Sequence, residues 1–260
     1  MNIAFINCFA AEWMKKRRSF ASWLVLIGGF FIPFITLIIF LVYPKQLLSM
    51  HVDISRNFWG LLFQHSWQSM AFMLLPMGIV LAVSLITQIE FKNNGWKQLH
   101  AAPISFKNIY FSKLAVLLVM LLQLFVLFNI GIYLSAVIPS FFNRNIPFPN
   151  YAINFGFFLK ENGKYFIICL PMVALQYIIS LQFKNFLIPV GTGLALVIGG
   201  LIALSWKYIY MIPSAYTALY FIRSKGNNVP VHNLLEWSLG YFLLFILLGY
   251  WLYVSKKEKG

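Results

Sequence analysis

The stretch 90-EFKNNGWKQLHAAPIS-105 places charges, amides and a proline between two long apolar runs, and its reading decides how the chain is laid out. Trp96, Leu99 and His100 share one face of a short helix, with Lys92 and Lys97 pointing elsewhere. Pro103 disfavours helix at Ala102 and ends that helix, and Ser105 stands where a hydroxyl can cap the next. The expectation is a short amphipathic helix across the mouth of two membrane-crossing segments.

The apolar runs on either side cover about 65–89 and 113–138, and four more of similar kind lie at about 20–43, 164–182, 187–206 and 237–255. A hydrocarbon core of about 30 Å needs roughly 20 apolar residues in a helix. None of the six carries an Asp, Glu, Lys or Arg well inside it. Backbone in lipid must satisfy its own hydrogen bonds, so the six runs are predicted to be helices. The first is too long for a signal-peptide core and lacks a small-residue cleavage site, so it reads as a retained span.

Composition agrees. Of 260 residues, 61% are hydrophobic and only 10% charged, against about 25% charged in a typical globular domain. The chain reads as an all-α integral membrane protein, one transmembrane domain over 1–260, with no room for a soluble catalytic domain. Its charge of +14 would suggest nucleic acid in a soluble protein. Here basic residues flanking spans and facing anionic head groups explain it, so no nucleic-acid partner is expected.

Orientation follows from Lys and Arg near span ends. With the N-terminus inside, the inner segments hold twelve of them and the outer segments eight, and the cluster Lys15, Lys16, Arg17, Arg18 stands directly before span one. Both termini are then cytoplasmic. Ahead of that cluster, Phe5, Ile6, Phe9 and Trp13 suggest an amphipathic helix over 1–19 with Glu12, Lys15 and Lys16 opposite, lying in the inner interface. Trp13 and Lys15 to Arg18 would be its membrane anchor. Of the outer segments, 44–64, 139–163 and 207–236, the second is predicted as an irregular proline-rich cap. The third, broken by Pro213, is predicted as a short helix dipping into the interface.

Groups able to carry chemistry are sparse. The nearest approach to a phosphate-binding loop, 161-ENGKY-165, lacks the first glycine and the hydroxyl. If the protein pumps, another chain must bind ATP. No charge inside the spans marks an ion relay. The four histidines are widely spaced, and Cys8 and Cys169 form no metal or disulfide pattern. No cofactor or metal is expected on this chain. In span two, Gln64, His65 and Gln68 at one end and Ser84 and Thr87 at the other either bond neighbouring helices or face a substrate path. In span five, Gly191, Ala195 and Gly199 recur at four-residue spacing, either for internal packing or for a dimer seam.

Taken together, 12-EWMKKRRSF-20, 90-EFKNNGWKQLHAAPISFKNIYFSKL-114, six spans and an apolar segment broken by proline before span six resemble ABC type-2 transporter permeases. The likeness is strongest to the small six-span half-permeases of bacterial lantibiotic immunity and drug efflux. That resemblance implies a coupling segment at 90–112, with Glu90 closing span two, Trp96, Lys97 and Leu99 on the coupling helix, the Pro103 to Ser105 turn, and Lys113 opening span three. The sequence has "NNGW" where many members have a Gly-Thr pair. The resemblance further implies a partner ATP-binding subunit carrying ATP and Mg, a second permease subunit, identical or not, and a place in the bacterial cytoplasmic membrane. The function expected is export of an amphipathic or hydrophobic compound. A multispan enzyme or assembly factor acting on lipid and an ATP-independent carrier or channel are the alternatives.

Overall fold

The computed structural model describes residues 3–17, 19–52, 58–92, 105–225 and 233–255. Helices dominate, and no strand occurs among the described residues. In chain order they are α1 (Ile3–Arg17), α2 (Phe20–Val42), α3 (Pro44–Val52), α4 (Phe58–Ser69), α5 (Leu75–Lys92), α6 (Phe106–Phe142), α7 (Phe155–Gln182), α8 (Leu187–Ile202), α9 (Tyr216–Ser224) and α10 (Leu234–Ser255). Among the described residues, six helical stretches are long and apolar enough to cross a membrane: α2, the α4–α5 rod to Ile89, α6, α7, α8 with the turn after it, and α10.

Their lengths exceed the apolar runs. At 37 residues α6 is about 55 Å long, so it leaves a hydrocarbon core of about 30 Å at both ends. The run 113–138 is only its lipid-immersed part. Likewise α7 starts at Phe155, where Asn154 Oδ1 accepts from Phe157 N–H at 3.0 Å, nine residues before the apolar run. Lys160, Glu161 and Lys164 interrupt the hydropathy but not the helix, because Lys164 and Glu161 pair along its surface at 2.7 Å. Only 143–154 of the proline-rich segment 139–163 is irregular. It is pinned by buried Ile146 and by Tyr151, whose carbonyl accepts from Trp59 Nε1 at 3.0 Å.

Span two passes through a π turn at Met70–Leu74, closed by Leu75 N–H onto Met70 O. Pro76 follows directly, and a proline cannot donate to its i−4 carbonyl and clashes with it; the wider turn absorbs that misfit. Against this turn lies the segment broken by Pro213. After α8 the chain passes through short 3-10 turns to Pro213–Ala215 and then into α9. Ser214 Oγ donates to Leu196 O at 2.7 Å, six residues back from the end of α8, so the segment re-enters by about 9 Å. Its residues Ala215, Tyr216, Leu219 and Phe221 are buried, and Phe221 meets Phe72 of the π turn edge-on at 5.9 Å. The short helix expected after Pro213 is thus present and folded back along α8.

Close seams hold the bundle. The α2–α6 seam closes on Gly29 and Gly131: a Cβ on Gly29 would stand 2.8 Å from Leu127 Cβ, and one on Gly131 2.7 Å from Pro33. Small residues let helices in lipid approach where no hydrophobic effect drives them together. At the centre, Gln176 of α7 donates to Ser84 Oγ of α5 at 2.9 Å and to Pro189 O of α8 at 2.8 Å. Toward the α5–α6 end, Tyr177 donates to Tyr110 O at 3.1 Å and Tyr110 to Ile246 O of α10 at 3.2 Å.

Candidate functional site

The N-terminal helix turns a polar stripe inward. Glu12 and Lys16 are its buried residues, whereas Ile3 and Ile6 are exposed. This corrects the expected placement of Glu12 and Lys16 opposite the apolar face, and of Lys16 as a head-group anchor. At 100° per residue Glu12, seven positions from Phe5, falls on nearly the same side, so Phe5, Phe9, Glu12 and Lys16 form one face. It lies on α6, where Glu12 Oε2 is 3.6 Å from Lys113 Nζ and Lys16 Nζ donates to Gln123 Oε1 at 2.6 Å. Lys15 pairs with Glu12 at 2.5 Å, and Lys16 sits 4.5 Å over the Trp13 ring. Burial, then the Arg17 charge, lowers the Lys16 pKa, and burial with the Glu12 carboxylate raises that of Cys8. Half-buried Trp13, half-exposed Lys15 and exposed Arg17 remain where an anchor could use them; Arg18 lies outside the described residues.

Of the coupling set, Trp96, Lys97, Leu99 and Pro103 lie outside the described residues, as does the side chain of Glu90. What frames them is described. α5 runs to Lys92, and α6 starts behind Ser105, whose hydroxyl accepts from Asn108 N–H at 3.4 Å. That is the expected cap. Lys113 is not at the helix opening but buried two turns in, clamped from α1.

The polar groups of span two divide. Ser84 and Thr87 are buried, Ser84 bonded to Gln176 and Ser180, and Thr87 to the carbonyls of Val83 and Ser84. They bond within and between helices, which corrects their place in a substrate path: a side chain enclosed by α5, α7 and α8 presents no surface to cargo. His65 and Gln68 are exposed, and Gln68 accepts from Lys225 at 3.3 Å. Gln64 lines a cavity of about 260 Å³ with Phe63, Trp67, Glu161, Lys164 and Tyr220 among others.

This cavity's charged group escapes sequence reading. Glu161 accepts from Lys164 and, through its other oxygen, from Tyr220 of α9 at 2.7 Å. Burial and that carboxylate raise the Tyr220 pKa, so the phenol stays protonated and donates. Trp67 stacks on Tyr165 at 3.7 Å between centroids. The group fastens the re-entrant α9 to α7. Among the described residues no cluster of His, Cys, Asp and Glu could hold a metal, and His65 lies outside the cavity.

On α8, the helix of the glycine repeat, the two faces part cleanly. Gly193, Val197 and Gly200 are buried against the bundle, and a Cβ on Gly193 would strike Val80 at 2.7 Å. Gly191, Ala195 and Gly199 are exposed, and a Cβ on either of these glycines would meet nothing within 4 Å. Internal packing therefore does not use the repeat.

An all-helical domain with six membrane-crossing helices, an inward-facing N-terminal helix, a re-entrant helix before the last span and no nucleotide-binding loop has the form of a transporter's membrane component. The sequence profile described as ABC-2 family transporter protein matches residues 8–200, and the chain belongs to that family. It is thus a permease subunit of an ABC transporter, which implies an ATP-binding partner. Comparison with curated proteins and with solved structures gave no match.

Proposed function

We propose that this permease subunit works as one half of a dimeric exporter in the bacterial cytoplasmic membrane, both termini in the cytoplasm. It would move an amphipathic or hydrophobic compound such as an antimicrobial peptide, driven by a separate ATPase that carries ATP and Mg. The observation that carries this reading is the way α1, α5 and α6 converge on one end of the bundle. The segment between α5 and α6 joins span two to span three, and α1 is clamped to α6 through Glu12 and Lys113. A push delivered through that segment reaches α6, which α1 braces. Glu90, Trp96, Lys97, Leu99, Pro103 and Ser105 are the coupling residues, and the open face of α8 at Gly191, Ala195 and Gly199 is the dimer seam.

Co-expression with its ATPase and affinity purification of the permease tests the reading. Trp96→Ala with Leu99→Ala is expected to leave insertion intact and to remove the ATPase from the purified complex. Equal recovery of the ATPase, or transport by the permease alone in liposomes without nucleotide, overturns it.

A further inference from the structure

The permease assignment leaves unused a groove between α6 and α7 at the end of the bundle away from the α5–α6 connection. Its volume is about 730 Å³, and its walls run from Tyr133 to Leu122 on α6 and from Phe155 to Phe166 on α7. Eleven residue steps on each antiparallel wall make it about 17 Å long. That is about half of a 30 Å hydrocarbon core, the depth of one leaflet. Both walls belong to membrane-crossing helices, and Val126 and Leu159 stand exposed along them.

The two amide side chains in the groove are Asn129 and Asn162. They bond each other, Asn129 Nδ2 to Asn162 Oδ1 at 2.9 Å and the reverse at 3.1 Å, and each donates its second hydrogen to the carbonyl four residues back. An amide has two donor hydrogens, so neither asparagine has a donor left over for a polar ligand; Trp59 Nε1 is spent on Tyr151 O, and the rest of the wall is aromatic and aliphatic, with the Tyr133 hydroxyl at one end. A slot one leaflet deep, with its amide donors saturated and mostly hydrocarbon walls, matches an acyl chain. Exposed Lys160 lies one turn before the groove residue Gly163 on α7. Its flexible stem lets the ammonium reach outward to the head-group level, where it attracts a phosphate.

We propose that this groove holds one acyl chain of a membrane phospholipid as a bound lipid, with the phosphate of that lipid at Lys160. The chain enters from the leaflet at the end of the α6–α7 connection, the outer leaflet in the orientation proposed above. The site depends on the chain spanning a membrane and not on the coupling mechanism or cargo.

Gly163 supplies the test. It lines the groove, and a Cβ there meets nothing within 4 Å, so Gly163→Trp fills the slot without striking the protein. Gly240→Trp on exposed, equally open α10 is the control for added bulk. The permease, purified with its ATPase into nanodiscs of phosphatidylethanolamine and phosphatidylglycerol, is released for native mass spectrometry. One retained phospholipid per permease chain is expected, reduced by roughly tenfold in Gly163→Trp and unchanged in Gly240→Trp. Lys160→Gln is expected to lower the preference for phosphatidylglycerol by about fivefold, the effect of one basic residue at an anionic surface. Should Gly163→Trp fail to insert, benzoylphenylalanine at Val126 is expected to crosslink phospholipid under ultraviolet light after bulk lipid has been exchanged for detergent, where the same probe at Leu247, exposed on α10, does not. Equal retention in both tryptophan variants, equal crosslinking at both sites, or a change of oligomeric state in Gly163→Trp without loss of lipid overturns the proposal.

Discussion

Glu12 is one of six acidic residues set against 20 Lys and Arg, and it is buried between Lys15 and Lys113. A carboxylate removed from water is costly unless it is paired, and here the pairing joins α1 to α6. Glu12→Gln keeps the shape and removes the charge. The expected cost is roughly 1.5–3 kcal/mol, that of a charged hydrogen bond, read as a lower melting temperature of the purified permease. The same substitution has a second readout at Cys8. Burial and then the Glu12 carboxylate raise the Cys8 pKa above its ordinary 9.0; the thiolate is the reactive form. Cys8 is expected to react with maleimide more slowly than a free thiol at pH 8 and to speed up in Glu12→Gln. Loss of melting temperature with unchanged Cys8 reactivity would place Glu12 elsewhere. His51, outside the spans, behaves in the opposite sense. Burial lowers its pKa, so it stays neutral at physiological pH, with Nδ1 at 3.1 Å from the Tyr151 hydroxyl.

At the scale of elements, two uses of glycine separate. Gly29 and Gly131 sit where α2 and α6 come within reach of each other's backbone, and a side chain there has nowhere to go. Gly29→Ala is expected to overpack the seam by about 1–3 kcal/mol, whereas Gly78→Ala, where a Cβ meets nothing within 4 Å, is expected to leave the melting temperature unchanged. Equal melting of both variants would mean that the seam opens freely. Hydropathy marks α2 and α6 but says nothing of which glycines face each other, because the rotation of each helix about its axis is set by its neighbours. The same limit explains α1. Its polar and apolar residues are visible in order, yet which stripe faces the bundle depends on Lys113 and Gln123, about a hundred residues away. The Ser105 cap, by contrast, was legible, because a cap is decided by residues within one turn.

For the whole molecule, the proposed dimer places its seam on the open face of α8. The exposed Gly191, Ala195 and Gly199 give one face of α8 a smooth surface, where a Cβ on either glycine meets nothing within 4 Å. Gly191→Trp or Gly199→Trp is expected to weaken dimerisation by roughly tenfold in dissociation constant, or about 1.4 kcal/mol, in fluorescence-transfer measurements on liposomes. An unaffected dimer would move the seam to another helix. A dimer closed there keeps the re-entrant segment near the seam, since Ser214 is bonded to Leu196 on the same helix. Motion of α8 would then pass to α9 and, through Tyr220 and Glu161, to α7.

By itself the sequence determined the number of spans, the helical class, the family and the short helix before the last span. Each of these depends on runs of apolar residues, on prolines or on local spacing, which the bilayer and the backbone read without reference to distant parts of the chain. Only the tertiary structure decided that Lys16 turns inward, that Ser84 and Thr87 are packed away, that the glycine repeat of α8 is open, and that Glu161 holds the re-entrant helix. Those outcomes rest on contacts between residues tens to more than a hundred positions apart. In lipid, where hydrophobicity does not sort one helix face from another, close packing and hydrogen bonding across helices make that choice.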